Sequence, residues 1–318
     1  MRPFPGKDKE LRPVSLIVNA DDYGYSEEVS RGILDAAGSG VVTATGILAN
    51  SPFFEEHVEA LRTADRVDPG VHLNLTVWRP LTSRLARLPE SSVEEGTRSK
   101  TRIALSVLSG RLDIDLVEEE WDAQIRRCIG ADLRIWFLNS HEHLHMLPPL
   151  FRLIHRLADR HGIPYIRYPS AEWFGFPKPS ALARELTLLA LDWINGSRAR
   201  RPGPALVGVS RSGRIDLPYL EKRLATLREG GVYELMCHPG HPPAEDAVHR
   251  KLLEYHDWKG ELDTLVRAKA NGLFHSERIR LIGFRDLNGS VPRQAAPASA
   301  SWTTTPQLRP DAVASSAT

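Results

Sequence analysis

The stretch VSLIVNADDYGYSEEVSRGILDAAG, residues 14–38, decides the fold class. It runs from a continuous apolar segment of buried-strand type, through the adjacent acids Asp21 and Asp22, into a helix opened by Ser26 and patterned on one face. Two neighbouring carboxylates at a strand end repel each other, and they have an ordinary reading in which one caps the following helix and the other faces water. The glycine-rich phosphate loop of a dinucleotide fold does not follow this strand.

Working outward, the same strand-then-helix rhythm recurs. VVTATGILAN (41–50), GVHLNLT (70–76), RIWFLNS (134–140), IPYIRYP (163–169), VYELMCH (232–238) and IRLIGF (279–284) read as strands. Helical patterns fall between them, including residues 52–64, 116–130, 148–161, about 180–194, 216–231 and 245–267, the last as one long helix. Seven or so strands over about 275 residues predict a largely parallel α/β sheet and a (β/α) barrel, closed or slightly irregular. The rhythm breaks at about residues 80–114, which read as an insertion near the mouth of the site. Residues 1–13 and 288–318, rich in Pro, Ala, Ser and Thr, read as disordered tails around a single domain spanning 14–287.

Forty-one basic against forty acidic residues leave a formal charge of +1, so no electrostatic footprint for nucleic acid or an anionic membrane is present. The most apolar helical run, ALARELTLLALDWI (181–194), is interrupted by Arg184, Glu185 and Asp192, and no membrane span is predicted. Only Cys128 and Cys237 occur, and no hydrophobic leader precedes the first strand; both observations predict a cytoplasmic protein with free thiols.

Five of the 12 histidines fall in or at the ends of strands: His72, His141, His143, His145 and His238. The carboxyl ends of parallel strands line the functional face of such folds, so Asp21, Asp22, His141 and His238 are expected to converge there. His72 joins them if it shares an inward face with Asn74 and Thr76, as strand alternation predicts. His57, His155, His161, His249, His256 and His275 take the ordinary reading of solvated imidazoles on helices or loops, and His241 stands between the two readings. Trp173 reads either as a stacking platform for a sugar ring or as a packed loop tryptophan. Carboxylate and imidazole donors together suit a divalent metal with an open position for water, one aspartate binding the ion and its neighbour taking a proton. Spacing assigns neither aspartate to either task, and it does not choose among His141, His143 and His145.

The ordered segments IVNADDYGYS, GILDAAGSGVVTATGILAN, GVHLNLT with RPL, NSHEHLHMLP, the arginine of YIRYP and ELMCHPG resemble the YdjC-like carbohydrate deacetylases, a family that includes chito-oligosaccharide and hopanoid-biosynthesis deacetylases. The resemblance covers about residues 14–287. It implies that Asp22, His72 and His141 hold one divalent metal ion, Mg2+ or Zn2+, that Asp21 is the general base and that His238 is the general acid. It implies an orienting role for Arg167 toward Asp21 or substrate, and leaves His143, His145 and Trp173 as substrate-binding or orienting groups. The implied reaction removes the acetyl group from an N-acetylated amino sugar and releases acetate. A homodimer is compatible with the family, although no interface is legible in the sequence. Two positions depart from the pattern: Tyr23 stands where Phe is more common, and Glu142, where His or Gln is common, adds a negative charge beside a ligand.

Rival readings carry less of the chain. A receiver-type phosphoacceptor domain is less than half this length and needs an acceptor aspartate where His72 stands. A two-carboxylate glycosidase needs its acids roughly 5 Å or 6.5–9.5 Å apart across the scissile bond, which adjacent residues suit poorly. A non-catalytic metal- or sugar-binding protein on the same fold is the remaining alternative.

Overall fold

The structure is a computed structural model that describes residues 12–88, 98–172, 179–196, 201–243 and 250–287. Residues 1–11 of the N-terminal tail, the C-terminal tail, the middle of the 80–114 insertion, Trp173 and His249 lie outside the described residues.

Strand β1 (Val14–Tyr23) is buried over almost its whole length, as a central strand covered on both faces must be. Parallel neighbours follow on one side as β2 (Ala44–Ile47), β3 (Asp68–Leu73), β4 (Phe137–Ser140) and β5 (Tyr165–Ile166). On the other side lie β7 (Val232–Cys237) and then β6 (Ala205–Val207), giving the order β5-β4-β3-β2-β1-β7-β6. A short antiparallel hairpin of β8 (His275–Ser276) and β9 (Ile279–Leu281) joins through β9 to the start of β1.

The sheet is strongly curled. Arg167, just beyond β5, donates to Glu234 on β7 at 2.6 Å. Five strand spacings separate those strands, roughly 24 Å on a flat sheet. Among the described residues no ladder joins β5 to β6. Side chains span that gap instead: the Tyr168 hydroxyl accepts from the Arg201 amide, and Glu172 accepts from the Gly208 and Ser210 amides. The fold is an irregular (β/α) barrel.

Alternation along the strands sorts the interior into layers. Val14, Leu16, Val18 and Ala20 of β1 pack into the outer core, against helices such as α1 (Glu27–Gly38) and α10 (Trp258–Ala270). Ile17 faces the other way, into an aromatic plug with Phe137, Tyr165 and Phe284. Phe137 and Phe284 stack at 4.5 Å. One pleat further up come Asn19, Asn139, Arg167 and Glu234, and above these the acids and histidines. The aromatic plug closes the bottom of the barrel, so the polar groups meet at its carboxyl-terminal mouth.

Helices α2 (Phe54–Arg62), α5 (Ile114–Gly130), α6 (Pro148–His161), α7 (Pro179–Asn195) and α8 (Leu217–Ala225) complete the outer layer. Two expectations are corrected. The long helix anticipated for 245–267 is two, α9 (Arg250–Tyr255) and α10, because Asp257 caps the second by accepting from the Gly260 amide. Strand β3 ends at Leu73, so Asn74 and Thr76 do not share its inward face; Asn74 turns back and its carboxamide oxygen accepts from the Thr76 and Val77 amides. Within the insertion, α3 (Ser83–Ala86) and α4 (Lys100–Leu108) are regular helices, and Lys100 pairs with Glu142 at 3.3 Å, at the rim of the mouth.

Candidate metal centre

A regular strand would point Asp21 and Asp22 to opposite faces. The β1–β2 register shifts between Ala20 and Tyr23, and Asp22 there takes a left-handed conformation with φ of 69°. Bulges of this kind re-aim a side chain, and aspartate tolerates positive φ better than most residues. Both acids therefore face the mouth, buried to 2% and 4% exposure.

Asp22 Oδ1 is approached by two imidazoles, His141 Nδ1 at 2.9 Å and His72 Nε2 at 3.2 Å. Ligand atoms of the three residues lie within 4.8 Å of one another. His72 reaches this point because its register partner on β4, Asn139, holds its other nitrogen, with Nδ1 to Oδ1 at 2.7 Å. Asn139 donates its Nδ2 to Asp21 Oδ1 at 3.0 Å, which turns its Oδ1 toward His72 and makes Nδ1 of that ring the donor. His72 Nε2 then presents a lone pair to a carboxylate oxygen. Two acceptors face each other at 3.2 Å, an arrangement that a cation between them converts from repulsion to ligation. Gly46 makes room for this pair: a Cβ there would sit 3.2 Å from His72 Cβ and 3.4 Å from Asn139 Oδ1.

Burial alone would raise Asp22, but the His141 charge and the hydrogen bond from His141 hold it well below the usual carboxylate range. Burial likewise disfavours a charged His141, yet Asp22 lifts it above its ordinary value.

Asp21 is gripped from the opposite side. Arg167 donates to both its oxygens, at 2.5 and 3.0 Å, and also to Glu234 Oε1 through Nε at 2.8 Å. Asn19 Nδ2 bridges Asp21 Oδ1 and Glu234 Oε1. Against the cost of burial, Arg167 and the nearby His72 and His238 bring the Asp21 carboxyl down to about 2, while Glu234 remains above its ordinary value because burial outweighs its arginine. Asp21 is thus a fixed, ionised acceptor beside the trio.

The remaining predicted residues sort differently. His238 is buried, donates its backbone amide to Glu261 Oε2 at 2.6 Å, and has no partner for Nδ1. Burial depresses its pKa although Asp22 and Asp21 pull the other way. The segment after β4 is a turn, His141–Met146, in which Glu142 and His143 have positive φ, so the three histidines share neither a strand face nor a helical one. The His145 ring donates Nε2–H to the Arg167 carbonyl and accepts at Nδ1 from Ser140 Oγ. That leaves no ring nitrogen for a substrate and gives His145 the Arg167 backbone to hold. His143 is half-buried, its Nδ1 without a partner.

His256, expected to be a solvated imidazole, is 9% exposed; its ring lies 4.8 Å from that of His238 and stacks on Trp258 at 5.0 Å. His57 is also buried, beside Ser30 and Tyr23. Sequence reasoning passed over Asn19, Asn139, Glu234, Glu261 and His256. Glu234 carried a usable signal, a lone charge inside the apolar strand VYELMC that a buried partner must offset.

The YdjC-like protein family matches residues 15–275. This chain belongs to that family. A carbohydrate deacetylase of Halalkalibacterium halodurans is 34% identical to this YdjC-like chain over 257 residues, covering 80% of the chain and 97% of that relative. One of Listeria welshimeri is 29% identical over 278 residues, covering 86% of the chain and all of the relative. The crystal structure of an Enterococcus faecalis protein assigned provisionally to cellobiose-phosphate cleavage shares the fold, with a TM-score of 0.66 at 24% identity over 86% of this chain and 99% of that one.

Proposed function

We propose that this YdjC-like protein is a metal-dependent carbohydrate N-deacetylase, hydrolysing the acetamide of an N-acetylated amino sugar to acetate and a free amine. The observation that carries the reading is the convergence of Asp22, His72 and His141 on one point, beside an Asp21 clamped by Arg167. Relatives covered nearly end to end are carbohydrate deacetylases, which supports the substrate class. Asp22, His72 and His141 would hold one divalent ion, Zn2+ suiting the nitrogen donors and Mg2+ the carboxylate. When bound, such an ion polarises the amide carbonyl and lowers the pKa of a bound water from 15.7 toward about 7.

The chain's own residues do the proton work. Asp21 accepts a proton from the attacking water, and Arg167 keeps the carboxylate ionised and aimed. The water oxygen bonds to the carbonyl carbon, the carbon–nitrogen bond breaks, and the nitrogen needs a proton to leave as an amine. His238 delivers it, having taken that proton from solvent at its unpartnered Nδ1, and Asp21 returns the water proton to solvent after acetate leaves. Help of this kind is worth about 10² to 10⁴ in rate. Both cysteines are buried free thiols and no described helix is long and apolar enough to cross a membrane; we place the enzyme in the cytoplasm.

The test is acetate release from N-acetylglucosamine and its oligomers. Chelator should abolish release and added divalent metal restore it; undiminished release by the metal-free protein would rule the reading out.

A further inference from the structure

Three strands adjacent in the sheet, β1, β2 and β3, each send an aromatic residue into the loop beyond their carboxyl ends: Tyr25, Phe53 and Trp78. The rings are contiguous. Trp78 lies 6.3 Å from Tyr25 and, edge-on, 6.1 Å from Phe53. Tyr25 in turn lies 6.4 Å from His141, so the aromatic wall begins at the metal centre and runs outward. Exposure rises along it, from 5% at Tyr25 through a partly exposed Trp78 to 37% at Phe53.

Trp78 is held in an unusual way. Its φ of 58° is a left-handed conformation that bulky side chains rarely adopt. Neighbouring groups enforce it: Arg98 donates to the Trp78 carbonyl at 2.7 Å, and Asn74 and Asn50 both donate to the carbonyl of Val77. The indole N–H is buried without a partner, so no hydrogen bond of its own fixes the ring. Part of the ring packs on the hydrophobic core and part of it is exposed. Five polar contacts from Asn50, Asn74 and Arg98 to the backbone of residues 75–79 hold this conformation, and the partly exposed ring adjoins Tyr25 and Phe53.

We propose that Trp78, edged by Phe53, is a stacking platform for a second pyranose ring, the neighbour of the sugar whose acetamide lies at Asp21 and Asp22. A pyranose offers a face of C–H groups to an aromatic ring and hydroxyls at its rim, and the exposed Arg79 and the Lys100–Glu142 pair at the mouth supply polar partners for such hydroxyls. The site therefore prefers an oligosaccharide to a monosaccharide. This rests on the carbohydrate-deacetylase reading of the metal centre.

The experiment compares wild type, Trp78→Ala and Trp78→Phe, metal-loaded, on N-acetylglucosamine and its β-linked tetramer, reading kcat/KM for acetate release and, separately, tetramer affinity by calorimetry. Trp78→Ala should lose about tenfold in kcat/KM and in affinity on the tetramer, as expected for one aromatic stacking contact, with monomer kinetics changed by less than about twofold. Trp78→Phe should retain most of both, and bound metal should be equal in all three. Equal losses on monomer and tetramer, or an unchanged tetramer affinity in Trp78→Ala, overturn the platform. Absence of acetate release in wild type, with tetramer affinity still dependent on Trp78, sinks the deacetylase chemistry and leaves the platform standing.

Discussion

Asp22 and Arg167 show how single residues determine this site. The left-handed turn at Asp22 sets two consecutive carboxylates on one face, and the cationic groups around them make that tolerable: the His141 imidazole against Asp22, a guanidinium against Asp21. Arg167 is fully buried between Asp21 and Glu234. Removing it leaves two buried carboxylates without their counter-charge. Arg167→Met should therefore lower folding stability by about 3–5 kcal/mol in urea denaturation, whereas Arg167→Met with Glu234→Met, which removes one of the stranded charges, should recover part of that loss. A double variant no more stable than the single one would show that Glu234 is not part of the clamp.

At the scale of elements, α5 and α6 are joined by charges rather than apolar contact alone. Asp122 on α5 accepts from His161 Nε2 at 2.8 Å and from Arg160 at 3.2 Å, both on α6, and pairs with Arg126 on its own helix. Burial would raise Asp122, but His161, Arg126 and Arg160 outweigh it and hold the carboxyl below its ordinary value of 3.8. A depressed carboxylate contributes stability that is present above pH 3.8 and is lost as pH falls through the folded-state value. Asp122→Asn should cost about 1 kcal/mol at pH 6, a figure reduced for solvent screening, and the difference from wild type should shrink below pH 3.8. A gap that persists unchanged at pH 2.5 would assign the effect to packing. The break between α9 and α10 belongs to this scale too. Periodicity through residues 245–267 reads as one helix, because nothing in it marks Asp257 as a cap until His256 is seen packed on Trp258 and His238.

For the whole molecule, the barrel was legible because its signal is repeated: apolar runs ending in polar residues, each followed by a helical pattern. Alternation along β1 foretells that Asn19 and Asp21 share a face, yet it foretells the wrong face for Asp22, since a positive φ at one aspartate leaves no periodic trace. The trio Asp22, His72 and His141 was named through family resemblance, while spacing left three histidines open after β4; the turn at Glu142 and His143 separates them, and neither residue type announces it. The groups that position the site, Asn139 for His72 and Glu234 for Arg167, are partners across strands, which a linear reading cannot pair. Closure through Arg167 and Glu234 also makes the site and the fold one object, since the same contact that aims Asp21 holds β5 and β7 across the barrel. The most direct measurement is calorimetric titration of chelator-stripped protein with Zn2+, in wild type, Asp21→Asn and His72→Ala. One equivalent should bind to wild type and to Asp21→Asn, with acetate release surviving only in wild type, and His72→Ala should bind none. Undiminished binding to His72→Ala, or binding lost equally from Asp21→Asn, would contradict the account.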